Sequence, residues 1–283
     1  MVKDRLGNEI PQSGAPTGLL SFLYRTFPGR ILLRILRARW VSLLVGAYMD
    51  SKLSARRAQK ALQQNAVDMT GVTQASFDSY NALFTRTRDT SLFPFADDPC
   101  AFGSPADSKL TVLPIDGGTV MHIKQAPYTV KELLREDTDR FDGGYAFVFR
   151  LSVEDYHRYA FPDGGRLTKH RVIKGTFHTV NPIALEKLPV FHRNCREVSM
   201  LETEQFGTVA YVEVGAMLVG RICNHRKTAF VRGEEKGYFA YGGSTVVLLT
   251  EKGAVTPDAD LLQNSRLGIE TYVRTGETVG RKA

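Results

Sequence analysis

The chain has 283 residues, 43% hydrophobic and 10% aromatic, enough to bury a sizeable core and too apolar for an extended disordered chain. Its 37 Lys and Arg against 30 Asp and Glu leave a formal charge of +7, which points to an anionic partner, a membrane surface or a nucleic acid, without choosing between them. Three cysteines, Cys100, Cys195 and Cys223, lie far apart with no CxxC spacing, so neither a disulfide framework nor a zinc cluster is indicated and a reducing cytosol is the expected compartment.

The N-terminus opens on the polar run MVKDRLGNEIPQSGAPTG, which lacks the apolar stretch and small-residue cleavage site of a secretory signal. From Leu19 to Met49 the chain is rich in apolar residues, but Arg25, Arg30, Arg34, Arg37 and Arg39 interrupt it. No window of about 18 uncharged residues is left to span a bilayer. Within this region RILLRILRARWVSLLVGAYMD sets Arg30, Arg34 and Arg37 on one helical face, with Ile31, Leu32, Ile35 and Leu36 on others. The pattern predicts a basic amphipathic helix that lies in the interface of an anionic membrane with Trp40 near the headgroups. The alternative is an ordinary packing helix with a solvated arginine edge. Helical patterning continues through SARRAQKALQQNAVDM to about Gly71, and a second short helix is expected at ASFDSYNALFTR.

Past the turn-rich stretch ADDPCAFGSPADS, short β-branched and aromatic runs alternate with Gly, Pro and Asp: KLTVLPI, AFVFRLS, TVAYVEV and STVVLLT. Only KELLRED and PIALEKL read as helical turns inside this part. The expected fold class is therefore α+β: a helical, membrane-associating N-terminal region over residues 1–90, on a β-rich catalytic domain over residues 91–283. No internal repeat or glycine-rich phosphate loop is present, and the basic residues do not interleave with aromatics on a recognition element, so a nucleic-acid partner is not expected.

The run KGYFAYGGSTVVLLTEKG places two glycines before a serine that opens an apolar strand. One reading is a hairpin turn in which Gly242 and Gly243 supply positive φ. The other is chemical: the Ser244 hydroxyl attacks the open Gly243 carbonyl, and the resulting ester breaks by elimination to leave a pyruvoyl group. The tetrapeptide is compatible with both.

Around it, FRLSVEDYHRYAFPDGG resembles the Asp-Tyr-His-Arg segment of phosphatidylserine decarboxylases, and further blocks resemble the same family in the same order: SPADSKLTV, GTFHTVNPIALEKLP, FGTVAYVEVGAMLVGRI and EKGYFAYGGSTVVLL, with FTR at Phe84 to Arg86 upstream. The resemblance covers at least residues 84–250. It implies self-cleavage between Gly243 and Ser244, a pyruvoyl cofactor made from Ser244, and two fragments that stay together. It also implies that Asp107 belongs to the Asp-His-Ser group that drives the cut, and that His157 serves substrate binding and decarboxylation. Phosphatidylserine is the implied substrate and the cytoplasmic face of the cell membrane the implied peripheral location; a homo-oligomer is left open. Rival readings are a pyruvoyl-dependent amino-acid decarboxylase and an uncut, inactive lipid-binding homologue.

One position departs from the family pattern, which places a second histidine three residues after His157 as the base for the serine hydroxyl, oriented by Asp107. Here that position is Ala160. A lineage that cuts with another base, a relative that no longer cuts, and a chain altered at this position all fit. His170 and His178, which flank Gly175, read as strand residues before they read as replacement bases. His122, His192 and His225 show no ligand spacing, and no metal site is expected. Asp155 and Arg158 are expected to form a turn-stabilising pair, and Gly215 and Gly220 to pack near the cleavage turn or simply to bend a strand.

Overall fold

The β-branched and aromatic runs of the sequence become strands of one large sheet. The structure, a computed structural model, describes residues 1–11, 17–36, 38–64, 66–116, 120–123, 126–176, 178, 190–216, 221–241 and 244–283. Its strands are β1 (Val2–Lys3), β2 (Ala101–Gly103), β3 (Ser108–Pro114), β4 (Val120–Ile123), β5 (Ala126–Thr129), β6 (Tyr145–Leu151), β7 (Arg158–Ala160), β8 (Gly165–Ile173) and β9 (Arg196–Thr203). They continue with β10 (Thr208–Val214), β11 (Ile222–Asn224), β12 (Ala229–Phe230), β13 (Glu235–Phe239), β14 (Ser244–Thr250), β15 (Val255–Pro257), β16 (Glu270–Val273) and β17 (Thr278–Lys282). The main sheet runs β1-β16-β3-β6-β14-β10-β9-β8-β12, and three small sheets, β11-β13-β7, β15-β17-β2 and β4-β5, flank it.

β14 is the strand that positions the site. It pairs antiparallel with β6, from Ser244 opposite Leu151 to Thr250 opposite Tyr145, and on its other edge with β10, where Thr245 faces Val214. Every residue of β14 is buried, so the strand is covered on both faces as well as paired on both edges, which is why STVVLLT reads as a continuous apolar run. Val246, Val247, Leu248 and Leu249 are at most 1% exposed. Burying each contributes about 1.5–3 kcal/mol.

The helices are α1 (Thr17–Arg25), α2 (Phe27–Leu36), α3 (Arg39–Asp50), α4 (Ala55–Gln63), α5 (Tyr80–Phe84) and α6 (Val130–Leu134), followed by Val190–Arg193 and Ala259–Arg266. The single basic helix expected from Arg30 onward is two helices, because Ala38 is extended (φ −66°, ψ 137°). Leu33 and Ser42 are both buried, yet at nine residues apart they would sit on opposite sides of a straight helix. Breaking the helix lets both face the protein. α4 stops at Gln63, short of Gly71, and Ala58 and Ala61 then pack with Val67, Phe77 and Leu83 in a second small core. Ser54 Oγ accepts from Tyr80 N at 2.8 Å and donates to Met49 O at 2.9 Å, tying the end of α3 to the start of α5, which Ser79 caps through Ala82 N at 3.0 Å.

Helix α6 falls on the expected KELLRED turn, whereas PIALEKL lies outside the described residues. The sequence reading had no helix at Ala259–Arg266; it starts after Pro257 and Asp258 and buries only Leu261, so its periodic signal is short. The two ends of the chain meet: β1 pairs parallel with β16, and Arg5 bonds to Asp260 at 2.6 Å and Asp258 at 2.8 Å. Among the described residues no helix is long and apolar enough to cross a membrane.

Leu248→Ala is expected to cost about 2–5 kcal/mol by leaving a cavity in the central strand, while Leu53→Ala, at a side chain 77% exposed, changes stability by less than about 0.5 kcal/mol. Urea midpoints of the two variants check this.

Candidate active site

Ser244 is the first residue of β14, so the sheet ladder holds its backbone while its side chain begins where the preceding turn ends. Gly242 and Gly243, the other half of the expected cleavage site, lie outside the described residues, as does Gly220. Gly215 follows Val214, the partner of Thr245, and so stands level with Ser244; its carbonyl accepts from the buried Asn194 side chain at 2.7 Å. Ser244 is fully buried, and its Oγ has no hydrogen-bond partner among the described residues. The same holds for Thr245 Oγ1. A buried hydroxyl left unpaired costs about 1–3 kcal/mol, so it requires a reason to be there.

On the other side of the turn, Tyr241 is fixed by α5. Its N–H donates to Asn81 Oδ1 at 2.9 Å, and its ring meets Tyr80 edge-on at 5.2 Å and Phe84 at 5.5 Å. The opposite neighbour of Phe84 is His157, whose ring lies 3.7 Å away, tilted by 32°. The Phe84 ring of α5 thus contacts both Tyr241, three residues before Ser244, and the histidine singled out in the sequence. A second link runs through the backbone, where Phe239 N, at the end of β13, donates to His157 O at 2.9 Å.

His157 is fully buried. Its Nδ1 lies 2.9 Å from the carbonyl oxygen of Asp155, which can only accept, so Nδ1 carries the proton and Nε2 holds the lone pair. Among the described residues the buried Nε2 has no hydrogen-bond partner. Burial, reinforced by the positive charges of Arg86 and Lys109, holds the imidazole well below its usual basicity. The Asp155 side chain turns away to Lys109, at 2.7 and 2.8 Å, and burial pushes its carboxyl up to about 6 against that pull. Arg158 bonds instead to Glu235 at 2.8 Å and to the Thr85 and Arg86 carbonyls. The expected Asp155–Arg158 pair is therefore not formed, because each finds a stronger partner on another element.

Asp107 is brought to the same region but faces a different group. Arg88 grips it bidentately, at 2.6 and 2.8 Å, and Thr275 donates to it from both N and Oγ1 at 2.8 Å. The guanidinium is stacked between Phe93, 3.6 Å from its ring centre, and Tyr156, at 4.0 Å. Ala160, one strand residue from Tyr159, donates its N–H to Pro105 O at 2.9 Å and lines a cavity of about 630 Å³ together with Arg88, Tyr156 and Thr275. His170 lies on β8 against Ser199 and Glu197, and His178 packs beside Tyr24. His225 faces Glu235 at 2.7 Å. Among the described residues no group of His, Cys, Asp and Glu is arranged to hold a metal ion.

Residues 80–281 match the sequence profile of the family described as phosphatidylserine decarboxylase. The chain is 40% identical over 266 residues to phosphatidylserine decarboxylase proenzyme 2 of Clostridium acetobutylicum, covering 93% of this chain and 91% of that one. It is 38% identical over 272 residues to the phosphatidylserine decarboxylase proenzyme of Clostridium tetani, and 36% identical to that of Clostridium botulinum strain Hall, in each case over 93% of this chain and 92% of the relative. The chain belongs to the phosphatidylserine decarboxylase family. It is a carboxy-lyase by that membership, and the match begins at Tyr80, the first residue of α5, the helix that holds Tyr241.

Within this family member, sequence reasoning missed Arg88, Asn81, Phe84 and Tyr241 as parts of the site. Arg88 sits in FTRTRD next to a recognised block, but its tie to Asp107 spans 19 positions and joins two elements, which no local pattern displays. Arg88→Met would leave the Asp107 carboxylate buried without its cation, a loss of about 3–5 kcal/mol. A fall of that size in urea-determined stability is expected, with Arg88→Lys, which keeps the charge but not the fork, losing less.

Proposed function

We propose that this chain decarboxylates phosphatidylserine to phosphatidylethanolamine, using a pyruvoyl group that it makes from Ser244 by cutting itself after Gly243. The observation that carries this reading is the buried, partnerless Ser244 hydroxyl at the head of a clamped strand, directly behind two glycines. Among the described residues no hydrogen bond competes for its proton, and glycine at 243 carries no side chain to block the carbonyl it must reach. Those residues fit the group: a pyruvoyl at position 244 would take the place of the serine at the strand head, where its carbonyl supplies an electron sink for loss of a carboxylate beside an amine.

The chain's own residues then divide the remaining tasks. The Tyr241, Phe84 and Tyr80 rings pack against one another beside the segment leading to Ser244, and the role of moving a proton to or from the reacting carbon falls to His157, a reading supported by its burial, its lone pair on Nε2 and its contact with Phe84. Asp107 holds the Thr275 turn and Arg88 in position from behind. The lipid is assigned to a cavity of about 210 Å³ between α3 and the turn, lined by Ser42, Gly46, Asp50, Asn81, Arg221 and Tyr241. The larger cavity at Ala160 is lined by Asp97 and Arg232 and does not border Tyr241, so it is the poorer candidate.

The helical region 1–90 serves, in this reading, as the membrane-associating part of a catalytic unit spanning 91–283, peripheral to the cytoplasmic leaflet. Phe27, Ile31, Leu32, Trp40, Leu43 and Leu44 on α2 and α3 are between 41% and 73% exposed, and Arg30 and Arg34 are exposed beside them. Arg37 lies outside the described residues. An apolar face rimmed by arginine next to a cavity at the cleavage turn suits a substrate that stays in its bilayer, and argues against a free amino acid. The specific observation favouring a second reading, an uncut lipid-binding homologue, is Ala160.

A gel decides between these readings. At 31.5 kDa for 283 residues, or about 111 Da per residue, a cut chain separates into fragments of about 27 and 4 kDa, and it releases carbon dioxide from phosphatidylserine vesicles but not from free serine. Ser244→Ala is expected to remain whole and inactive; a cut Ser244→Ala chain, or a whole and active wild type, would contradict the proposal. Replacing Arg30 and Arg34 by Glu is expected to weaken sedimentation with anionic liposomes at least tenfold while cleavage proceeds unchanged, since each arginine near an anionic leaflet contributes about 1 kcal/mol and reversal also adds repulsion.

A further inference from the structure

We propose that His157, through Nε2, is the base that takes the Ser244 proton in the self-cleavage of this chain, so that one imidazole serves both the maturation cut and the later decarboxylation. The inference rests on the reading of Ser244 given above and names the group that cuts in a chain with alanine at position 160.

Three observations converge on it. First, the two buried groups are complementary: among the described residues the Ser244 hydroxyl has no hydrogen-bond partner and neither has His157 Nε2, so the two are not bonded to each other in the resting chain and each offers what the other lacks. Second, His157 is tied to the segment that leads into Ser244. The Phe84 ring contacts the His157 ring at 3.7 Å and the Tyr241 ring at 5.5 Å, and Ser244 is three residues beyond Tyr241. The Phe239 to His157 backbone bond ties the histidine to the same segment, five residues before Ser244. Third, the alternative route through Asp107 is occupied. Both of its oxygens are taken by Arg88 and Thr275, and Ala160 carries nothing to protonate. The carbonyl of Asp155 takes over the orienting task that a carboxylate performs elsewhere, because it fixes Nδ1–H and aims the lone pair of Nε2 outward from that bond.

The step balances as follows. Nε2 takes the Ser244 hydroxyl proton as Oγ bonds to the Gly243 carbonyl carbon. The bond from that carbon to Ser244 N then breaks, and the imidazolium returns its proton to the departing nitrogen, leaving an ester. Loss of the Ser244 Cα proton, again to Nε2, drives the electron pair into a Cα–Cβ double bond and expels the Gly243 carboxylate. Water then replaces the nitrogen, which leaves as ammonia, and the ketone remains. An imidazole kept weakly basic by burial releases its proton readily to the leaving nitrogen, which suits the second half of the exchange. The charges facing the ring are Arg86, after α5, and Lys109 on β3, with Glu154 and Asp155 paired to Lys109.

The test follows cleavage of freshly purified full-length chain on a gel, with no lipid added. His157→Ala is expected to slow the cut by about 10²–10⁴-fold, and imidazole added to that variant is expected to restore part of the rate. Circular dichroism first establishes that the variant is folded; if it is not, the wild-type pH profile serves alone. Because folding lowers the His157 pKa, its base form is complete at neutral pH, so the wild-type rate should be flat from pH 6 to 8 and fall only in stronger acid. An inflection at or above about 6.5, the ordinary histidine value, would overturn the assignment. So would a folded His157→Ala chain that cuts within threefold of wild type, a result that leaves the pyruvoyl reading standing. A wild-type chain that never cuts strikes that reading instead.

Discussion

A hydroxyl sealed inside a protein normally finds an acceptor, because nothing in the interior replaces the water it gave up. Among the described residues Ser244 does not, and the surrounding elements keep it so. β6 and β10 clamp the backbone of β14 on both edges. α5 packs on Tyr241, three residues before Ser244, with Asn81, Tyr80 and Phe84, and the Ser54 and Ser79 hydrogen bonds hold α5 in place. The stability of a central strand thus sustains a locally unfavourable group at its first residue, as is common where structure serves reactivity.

Much of this architecture was legible in the sequence because it rests on local pattern. The runs KLTVLPI, AFVFRLS, TVAYVEV and STVVLLT are interior strands whose neighbours bury them, and the apolar content reports that burial directly. The break at Ala38 was not legible, since the apolar periodicity of α2 and α3 runs through it; it arises from where Leu33 and Ser42 must point. The strand Val2–Lys3 was hidden for a different reason. Two residues carry no periodicity, and their place beside β16 depends on the far end of the chain.

The site divides along the same line. Ser244 and His157 stand in short motifs that name themselves, and the structure seats both, fully buried, around one helix. Their environment is made largely by residues on other elements, so the neutral state of His157, the grip of Arg88 on Asp107 and the Asn81 bond to Tyr241 appear only in three dimensions. Asp155 shows the difference most simply. Its side chain goes to Lys109, and its useful group is the backbone carbonyl that orients the imidazole.

In the proposed reading, the exposed apolar residues of α2 and α3 meet the bilayer, and the cavity between α3 and Tyr241 joins them to a pyruvoyl group that can be made only by breaking the chain. The intact mass of the C-terminal fragment, which begins at position 244, tests that account most directly. A fragment lighter than one starting with serine by one ammonia, and heavier by two hydrogens after borohydride, is the predicted result. A fragment that keeps an N-terminal serine, or a chain from which no fragment arises, would contradict it.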